Sequence, residues 1–424
     1  MCNLNQSIKI FEYDSLQYGE EYNGLLFKAS HFNTLVKLNE LHQNKYFNVG
    51  YKKITFRQFV GVIQVDNLTI EILPKIDRYE SENPENKAKW QNVLIEMLKV
   101  TAKLKIQQVG QAKVSRQSIH LLDIYFELFL NEVQLLIYQG LIKQYYKQTG
   151  NVKALKGKLE FAGHIQRNLV HKERFFTTHQ VYEKDHLIHQ ILGQALDIVA
   201  NLSKGSYLYG KCKTVQLNFP EVKSIKATEN TFSKIVKSRK TAPYETALEI
   251  ARLIILNYAP NISSGSEKML ALLFDMNNLW EEYILTRLKQ TVINRPDIEV
   301  YSQSSKGFWN GITIRPDIVL EKRLSDNKKE VLIIDTKWKN IDQSKPSTHD
   351  LRQMYVYNEY WNSTKSFLLY PSYENDLEDF KEYDKITDKD NHQCALGKIS
   401  ILNSENKLDE NIGFRLLEVL DKLK

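Results

Sequence analysis

Two acids and a lysine stand in a pattern suited to phosphodiester hydrolysis. Arg315-Pro316-Asp317 leads into the apolar run Ile-Val-Leu, and after a polar insert Val331-Leu-Ile-Ile ends in Asp335-Thr336-Lys337. Both apolar runs read as strands. The stretch Glu321 to Glu330, with Ser325-Asp326-Asn327, suits a hairpin loop that would bring the acids together. Side chains two apart on a strand point the same way, so Asp335 and Lys337 share a face while Thr336 offers its backbone carbonyl nearby. Mg2+ takes hard oxygen ligands in near-octahedral geometry and keeps waters, so two carboxylates, a carbonyl, waters and a phosphate oxygen form a suitable shell. Mn2+ accepts the same donors. Asp317 and Asp335 are therefore the candidate metal ligands, with the Thr336 carbonyl. Lys337 is the candidate for orienting an attacking water or stabilising charge on the phosphoryl oxygens. An Asp-x-Lys triplet alone is common. Its weight comes from its place at the end of an apolar run and from the Pro-Asp at the matching place in the other strand. Pro316 cannot donate to a sheet ladder, which predicts an edge strand or bulge that re-aims Asp317.

The flanking segments must position these groups. His349 to Trp361 reads as a helix with Asp350, Gln353 and Tyr357 on one side, so Gln353 and Tyr357 could touch a phosphate backbone or support the metal shell. Upstream, Ser264-x-x-Glu267 looks like a capping box, and Met269, Leu272, Leu273, Met276, Trp280 and Tyr283 recur at helical spacing. This predicts a buried helix carrying Asp275, Glu281 and Glu282, one of which could supplement the metal site. Taken singly, each flanking residue is equally at home on an ordinary partly solvated helix.

The order helix with an acid, strand with Pro-Asp, strand with Asp-x-Lys and helix with Gln-x-x-x-Tyr resembles the PD-(D/E)xK nuclease superfamily. More narrowly, the chain resembles the McrC family, the nuclease subunit of McrBC-type 5-methylcytosine-dependent restriction systems. The resemblance rests on Leu273-Phe-Asp-Met-Asn-Asn-Leu-Trp-Glu-Glu-Tyr283, Arg315-Pro-Asp317 and Ile334-Asp-Thr-Lys-Trp338. Leu155-Lys-Gly-Lys-Leu159, Phe175 to Leu196, Gly61-Val-Ile and Ile70-Glu-Ile-Leu-Pro-Lys75 extend it over most of the chain. Carried over by residue, it implies metal-binding acids at Asp317 and Asp335 and a catalytic lysine at Lys337. It implies a supporting acid at Glu281, in a register that the adjacent Glu282 leaves open, and accessory roles for Gln353 and Tyr357. It also implies DNA as substrate, a place in phage defence, and a separate McrB-like AAA+ GTPase that this chain stimulates, in an assembly whose oligomeric state is open.

Composition agrees. The 424 residues are 42% hydrophobic, enough for more than one core, and a formal net charge of +7 favours a polyanionic partner such as nucleic acid. Lys234, Lys237, Arg239 and Lys240 crowd together in a basic segment from Lys223 to Lys240, a phosphate-contact candidate or simply a solvated loop. Cys2, Cys212 and Cys394 are too few and too scattered for a disulfide framework, a zinc module or a four-thiolate cluster. The N-terminus lacks a signal-peptide core and no stretch reaches a membrane span, so a reducing cytoplasm and no membrane association are expected. His186-x-x-His189 could place two imidazoles on one helix face, but no nearby acid completes a zinc motif. No phosphate loop of the G-x-x-x-x-G-K-[ST] kind occurs, so nucleotide hydrolysis is not expected here.

The expected architecture is α+β and multidomain. Residues 1–89 form a strand-rich N-terminal domain, a candidate for partner docking, with Ile54 to Val65 and Leu68 to Ile76 as a hairpin turned at Asp66-Asn67, part of a small barrel. In its second strand Leu68, Ile70 and Ile72 face one side, Thr69 and Glu71 the other. Tyr79 to Lys89 reads as a linker. Residues 90–250 are mainly helical, with buried Ile119 to Tyr138, a helical run from Gln117 to Gln148 and another around His186 to Leu202; strand or loop intervenes near Leu155 to Phe161 and Val215 to Phe219. Residues 251–424 form an α/β PD-(D/E)xK restriction-endonuclease-like domain. Two rivals stay open: a self-sufficient nuclease of the same superfamily in restriction or repair, and a non-catalytic DNA-binding or ring-stimulating adaptor.

Overall fold

The computed structural model describes residues 6–65, 68–77, 80–101, 103, 120–260, 268–324, 329–339, 346–384 and 391–422. The predicted turn at Asp66-Asn67, the capping box at Ser264 to Glu267 and the loop residues Ser325-Asp326-Asn327 lie outside them. The chain is a mixed α/β, multidomain protein. It forms two compact units assembled from separated segments: Met1–Gln6, Gln64–Asn67 and Ala112–Leu272 in the first, and Ser7–Ile63, Leu68–Gln111 and Leu273–Lys424 in the second. The expected segments 1–89, 90–250 and 251–424 thus describe the order of elements along the chain, while the compact units are discontinuous in sequence. Among the described residues no helix is long and apolar enough to cross a membrane.

The first unit is built on helices. Leu121–Gln139 packs with Leu187–Leu202, Tyr207–Asn218 and Glu245–Leu256. The long helix stops short of the expected Gln148, because Gly140 takes a φ of +90° that favours glycine, and the chain continues as the strand Gln144–Val152. Val215 is helical, not in a strand or loop as expected: Leu208, Cys212 and Val215 are the buried side of one helix at helical spacing. Gln144–Val152 pairs with Phe175–Glu183, which pairs in turn with Lys158–Leu159, all antiparallel. Gly157 turns into this sheet with φ +67°, and a Cβ there would lie 2.8 Å from the His179 Cα, so a side chain has no room. His186 and His189 serve structure. His186 Nε2 bonds the Ile142 carbonyl at 3.1 Å, and His189 bridges the Lys184 carbonyl at 2.6 Å and the Tyr244 hydroxyl at 3.2 Å. The basic segment around Lys234 to Lys240 is largely exposed.

In the second unit the N-terminal segment contributes strands Gln6–Phe11, Leu68–Leu73 and Phe59–Val65, adjacent in that order. This is the arrangement of an open sheet: among the described residues Gln6–Phe11 pairs with Leu68–Leu73 alone, and the expected barrel is not formed. All six residues of Leu68–Leu73 are buried, so both faces of the strand are covered, including Glu71, whose Oε2 accepts from Gln91 Nε2 at 2.8 Å. A helix not anticipated from sequence, Ala29–Leu41, interrupts the strands. The expected linker ends early: Asn83 caps a helix Pro84–Val100, for which Pro84 supplies a pre-set first turn.

The larger sheet of this unit runs Ile298–Ser302, Ile318–Arg323, Lys329–Thr336, Lys365–Ser372, Gln393–Ser400 and Asp376–Leu377, with Lys381–Glu382 also on Gln393–Ser400. Its centre is parallel and its first two pairings antiparallel. The helix Thr348–Trp361 connects the parallel strands and buries Met354, Tyr357 and Trp361 against Val319, Ile333 and Leu368. The helices Met276–Thr291 and Ile412–Lys422 pack together and contact the same sheet. The predicted buried helix from about Met269 is corrected: Lys268–Asp275 is a strand, and the helix starts at Met276 with Asp275 as its cap. A short continuous apolar run fits a buried strand as well as a helix, and the local side-chain cap decides the boundary.

Gly413 lets those two helices approach, since a Cβ there would sit 2.7 Å from the Arg287 carbonyl oxygen and would also collide with Thr291 Oγ1. Gly413→Ala is expected to destabilise this unit by about 1–3 kcal/mol, read as a lower urea midpoint.

Candidate active site

The antiparallel register aligns Ile318 with Ile334, and one more step along it sets Asp317 against Asp335. Asp317 lies just before its strand, because the preceding strand ends at Ile314 and Pro316 occupies the connection, neither an edge-strand residue nor a bulge as expected. The register shift of this region falls instead between Gly307 and Trp309. Asp317 is tied down by its neighbour strand: its Oδ2 accepts from Thr336 N at 2.7 Å and from Thr336 Oγ1 at 3.0 Å. This anchoring role of Thr336 was not foreseen from the sequence.

Strand alternation sorts the next residues. Asp335 and Lys337 fall on the side of Ile333, toward the helix Thr348–Trp361, and Trp338 falls on the side of the helix Met276–Thr291. Asp335 is 1% exposed and its Oδ2 lies 2.5 Å from Lys337 Nζ. Lys337 Nζ also donates to Gln353 Oε1 at 3.3 Å, Gln353 Nε2 donates to the Tyr357 hydroxyl at 2.8 Å, and that hydroxyl donates to the Arg315 carbonyl at 2.8 Å. The chain of contacts closes on itself, because Arg315 and Asp317 are separated only by Pro316.

Electrostatics mark the same spot. Burial, and then the negative charge of Asp317, push the Asp335 carboxyl well above the usual carboxylate range, against the pull of Lys337. Burial also raises Asp317, opposed by its two bonds from Thr336. For Lys337 burial works toward loss of the proton, but Asp335 and Asp317 outweigh it and hold the ammonium charged. Asp350, also buried, pairs with Lys339 at 2.6 Å, and its charge bears on Asp335 and Lys337.

The two glutamates of the upstream helix separate. Glu281 is raised by burial and next by Asp317, and accepts from Gln303 Nε2 at 3.3 Å; Glu282 pairs with Lys103 at 2.9 Å. Asp275 is occupied as the helix cap, accepting from Asn277 N at 3.0 Å. The structure thus gathers Asp317, Asp335, Thr336, Lys337, Gln353 and Tyr357, with Glu281 beside Asp317 and Glu282 and Asp275 engaged elsewhere. Among the described residues no three His, Cys, Asp or Glu side chains cluster closely enough to hold a metal ion by themselves. The local donor set is the buried carboxyl of Asp335 and the part-buried carboxyl of Asp317, with the Lys337 ammonium against Asp335. That set suits a hard divalent cation that keeps several of its waters.

The chain is similar to known proteins over much of its length. The family described as McrBC 5-methylcytosine restriction system component matches residues 54–371. The type IV methyl-directed restriction enzyme EcoKMcrBC of Escherichia coli (strain K12) is 22% identical over 264 residues, covering 59% of this chain and 74% of that protein. Among solved structures, a half-complex of Thermococcus gammatolerans McrB AAA+ hexamers with bound McrC matches with a TM-score of 0.71 at 19% identity, over 99% of this chain and 100% of the other. The T. gammatolerans McrBC complex matches with a TM-score of 0.51 at 20% identity, over 68% and 88%.

Asp335 has a stability consequence. A carboxyl whose pKa is raised on folding binds its proton more tightly in the native state, so stability falls as pH rises from the unfolded value near 4 and the full penalty holds above the folded value. In the metal-free protein Asp335→Asn is expected to be more stable than wild type by about 1–3 kcal/mol at pH 8, with the gap closing toward pH 4. Denaturant melts at the two pH values in EDTA measure it.

Proposed function

Because the chain belongs to the McrBC 5-methylcytosine restriction system component family, we propose that it is the DNA endonuclease subunit of a modification-dependent restriction system. The observation that carries this reading is the pairing of a part-buried Asp317 with a buried Asp335 at the ends of two paired strands, with Lys337 in contact with Asp335. The reading includes a C-terminal domain of the PD-(D/E)xK nuclease kind, and a place in the cytoplasm, in defence against phage.

Asp317 and Asp335 would hold Mg2+, with the Thr336 carbonyl as a further donor; Mn2+ would substitute. Thr336 supports that assignment by its orientation, since its N–H points at Asp317 and a strand residue's N–H and C=O project toward the same neighbour. When bound, the metal supplies Lewis-acid polarisation of the phosphodiester and acidifies a coordinated water. Lys337 would steer that water in line with the scissile P–O bond, or offset charge gathering on the non-bridging oxygens. The attacking water's oxygen would bond to phosphorus as it gives up a proton to solvent, the bond to the leaving sugar oxygen would break, and that oxygen would take up a proton from solvent. Gln353 and Tyr357 would act through Lys337, holding its ammonium beside Asp335 at the cost of its rotamer freedom. Glu281 would tune the charge at Asp317.

In a relative of the same fold McrC is bound to McrB AAA+ hexamers, and we extend this to a McrB-like GTPase as partner. The net charge of +7 supports DNA as the polyanion engaged. A self-sufficient nuclease, which would cleave without partner or nucleotide, and a non-catalytic adaptor, which would tolerate loss of the acids, are the alternatives.

Cleavage of 5-methylcytosine-containing plasmid with Mg2+, with and without the GTPase and GTP, separates the three. Asp335→Ala and Lys337→Ala, each folded by circular dichroism, are expected to lose at least roughly a hundredfold in rate. Wild-type cleavage by Asp335→Ala would remove the nuclease assignment.

A further inference from the structure

The strand that carries Asp335 ends at Thr336, so Lys337 and Trp338 follow it beyond the ladder to the Asp317 strand. Lys337 N donates to the Leu369 carbonyl at 2.9 Å. Trp338, 4% exposed, is held at three points. Its backbone N–H donates to Asn277 Oδ1 at 3.3 Å, its ring meets Trp280 with centroids 5.6 Å apart, and its indole N–H donates to Glu12 Oε1 at 2.6 Å. Glu12 precedes Trp338 by 326 residues yet lies in the same compact unit. The same Oε1 accepts from Lys75 N at 3.1 Å, and the side chain is fully buried. The N-terminal segment ties to this corner once more, where Met276 N, the first residue of the Glu281 helix, donates to the Gln58 carbonyl at 2.9 Å.

We propose that Glu12 is a positioning residue for the candidate centre, fixing through Trp338 the backbone that aims Lys337 and, through Asn277, the first turns of the helix that carries Glu281. A buried indole N–H needs an acceptor, and a buried carboxyl is rarely tolerated without such a purpose. Burial also pushes the Glu12 carboxyl up to about 8, opposed by the bonds from Trp338 and Lys75. A glutamine of the same length can take over that acceptance, and an apolar residue cannot. A shift of Lys337 by a fraction of an ångström is costly, because the chemistry demands alignment of the attacking oxygen.

For its activity readout the inference rests on the nuclease reading, so the experiment carries a second readout. Glu12→Gln, Glu12→Leu and Trp338→Phe are compared with wild type and with Asp335→Ala in the full chain, folding being checked by near-ultraviolet circular dichroism. Mn2+ binding to each is titrated by water-proton relaxation, and cleavage is followed as kcat and KM for DNA. Glu12→Gln is expected within about threefold of wild type in both readouts. Glu12→Leu and Trp338→Phe are expected to bind Mn2+ several-fold more weakly and to lose about tenfold in kcat at unchanged KM. In Mn2+ affinity and kcat the double variant Glu12→Leu/Trp338→Phe should be no worse than Trp338→Phe alone, since both changes break the Trp338–Glu12 contact, while the further loss of the Lys75 N–H acceptor is read in stability. Glu12→Leu that melts earlier but keeps wild-type metal affinity and kcat would reduce Glu12 to a fold-stabilising residue, as would additive losses in the double variant. Asp335→Ala behaving as wild type overturns the nuclease reading itself, whereas a dead Asp335→Ala beside an unaffected Glu12→Leu overturns only the positioning role.

Discussion

Asp317 and Asp335 bring two carboxyls to neighbouring strand ends, one part-buried and one buried, and the charge of the first bears on the second. Burial disfavours the ionised form of both carboxyls, and at Asp335 the charge of Asp317 adds to it. A single ammonium, Lys337, lies in contact with Asp335. Left to itself such a pair would relax by rotating one side chain toward solvent. It is restrained by a closed circuit of bonds, from Thr336 to Asp317 and from Lys337 through Gln353 and Tyr357 to the Arg315 carbonyl. Each member restrains its neighbour's rotamer.

The circuit depends on strand alternation at one strand end. Odd-numbered Asp335 and Lys337 face the helix that supplies Gln353 and Tyr357. Trp338 turns to the other side, where Asn277, Trp280 and Glu12 receive it. A one-residue slip of this strand would exchange the two sets and dismantle both sides at once. The antiparallel pairing with the Asp317 strand and the parallel pairing with Lys365–Ser372 together prevent that slip. The Glu281 helix is held at its start by Asp275 and along its length by close packing at Gly413.

Much of this was legible in the residues. The apolar run that follows Asp317 and the one that ends in Asp335, their hairpin relation, the shared face of Asp335 and Lys337 and the helix with Gln353 and Tyr357 were all readable from local pattern. Where local signals were two-sided the reading failed. The run Met269 to Leu273 suits either a strand or a buried helix, and it is a strand because the helix begins at a capping aspartate. Val215 looks strand-like by type but closes the buried side of a helix, and Pro84, read as part of a linker, opens one. Glu281 and Glu282 are equivalent by composition. Only the placement of Lys103 and Gln303 separates them.

What the sequence determined by itself was the chemistry on offer: which acids and which lysine stand at strand ends, with what spacing. Those facts depend on the two-residue repeat of a strand and the near-four-residue repeat of a helix, both local. What only the tertiary structure decided was the company each group keeps. Thr336 anchors Asp317, Gln303 donates to Glu281, and Glu12 reaches across 326 positions to receive the Trp338 indole. Such contacts arise from the packing of segments far apart in the chain, and no local periodicity encodes which buried donor will meet which buried acceptor.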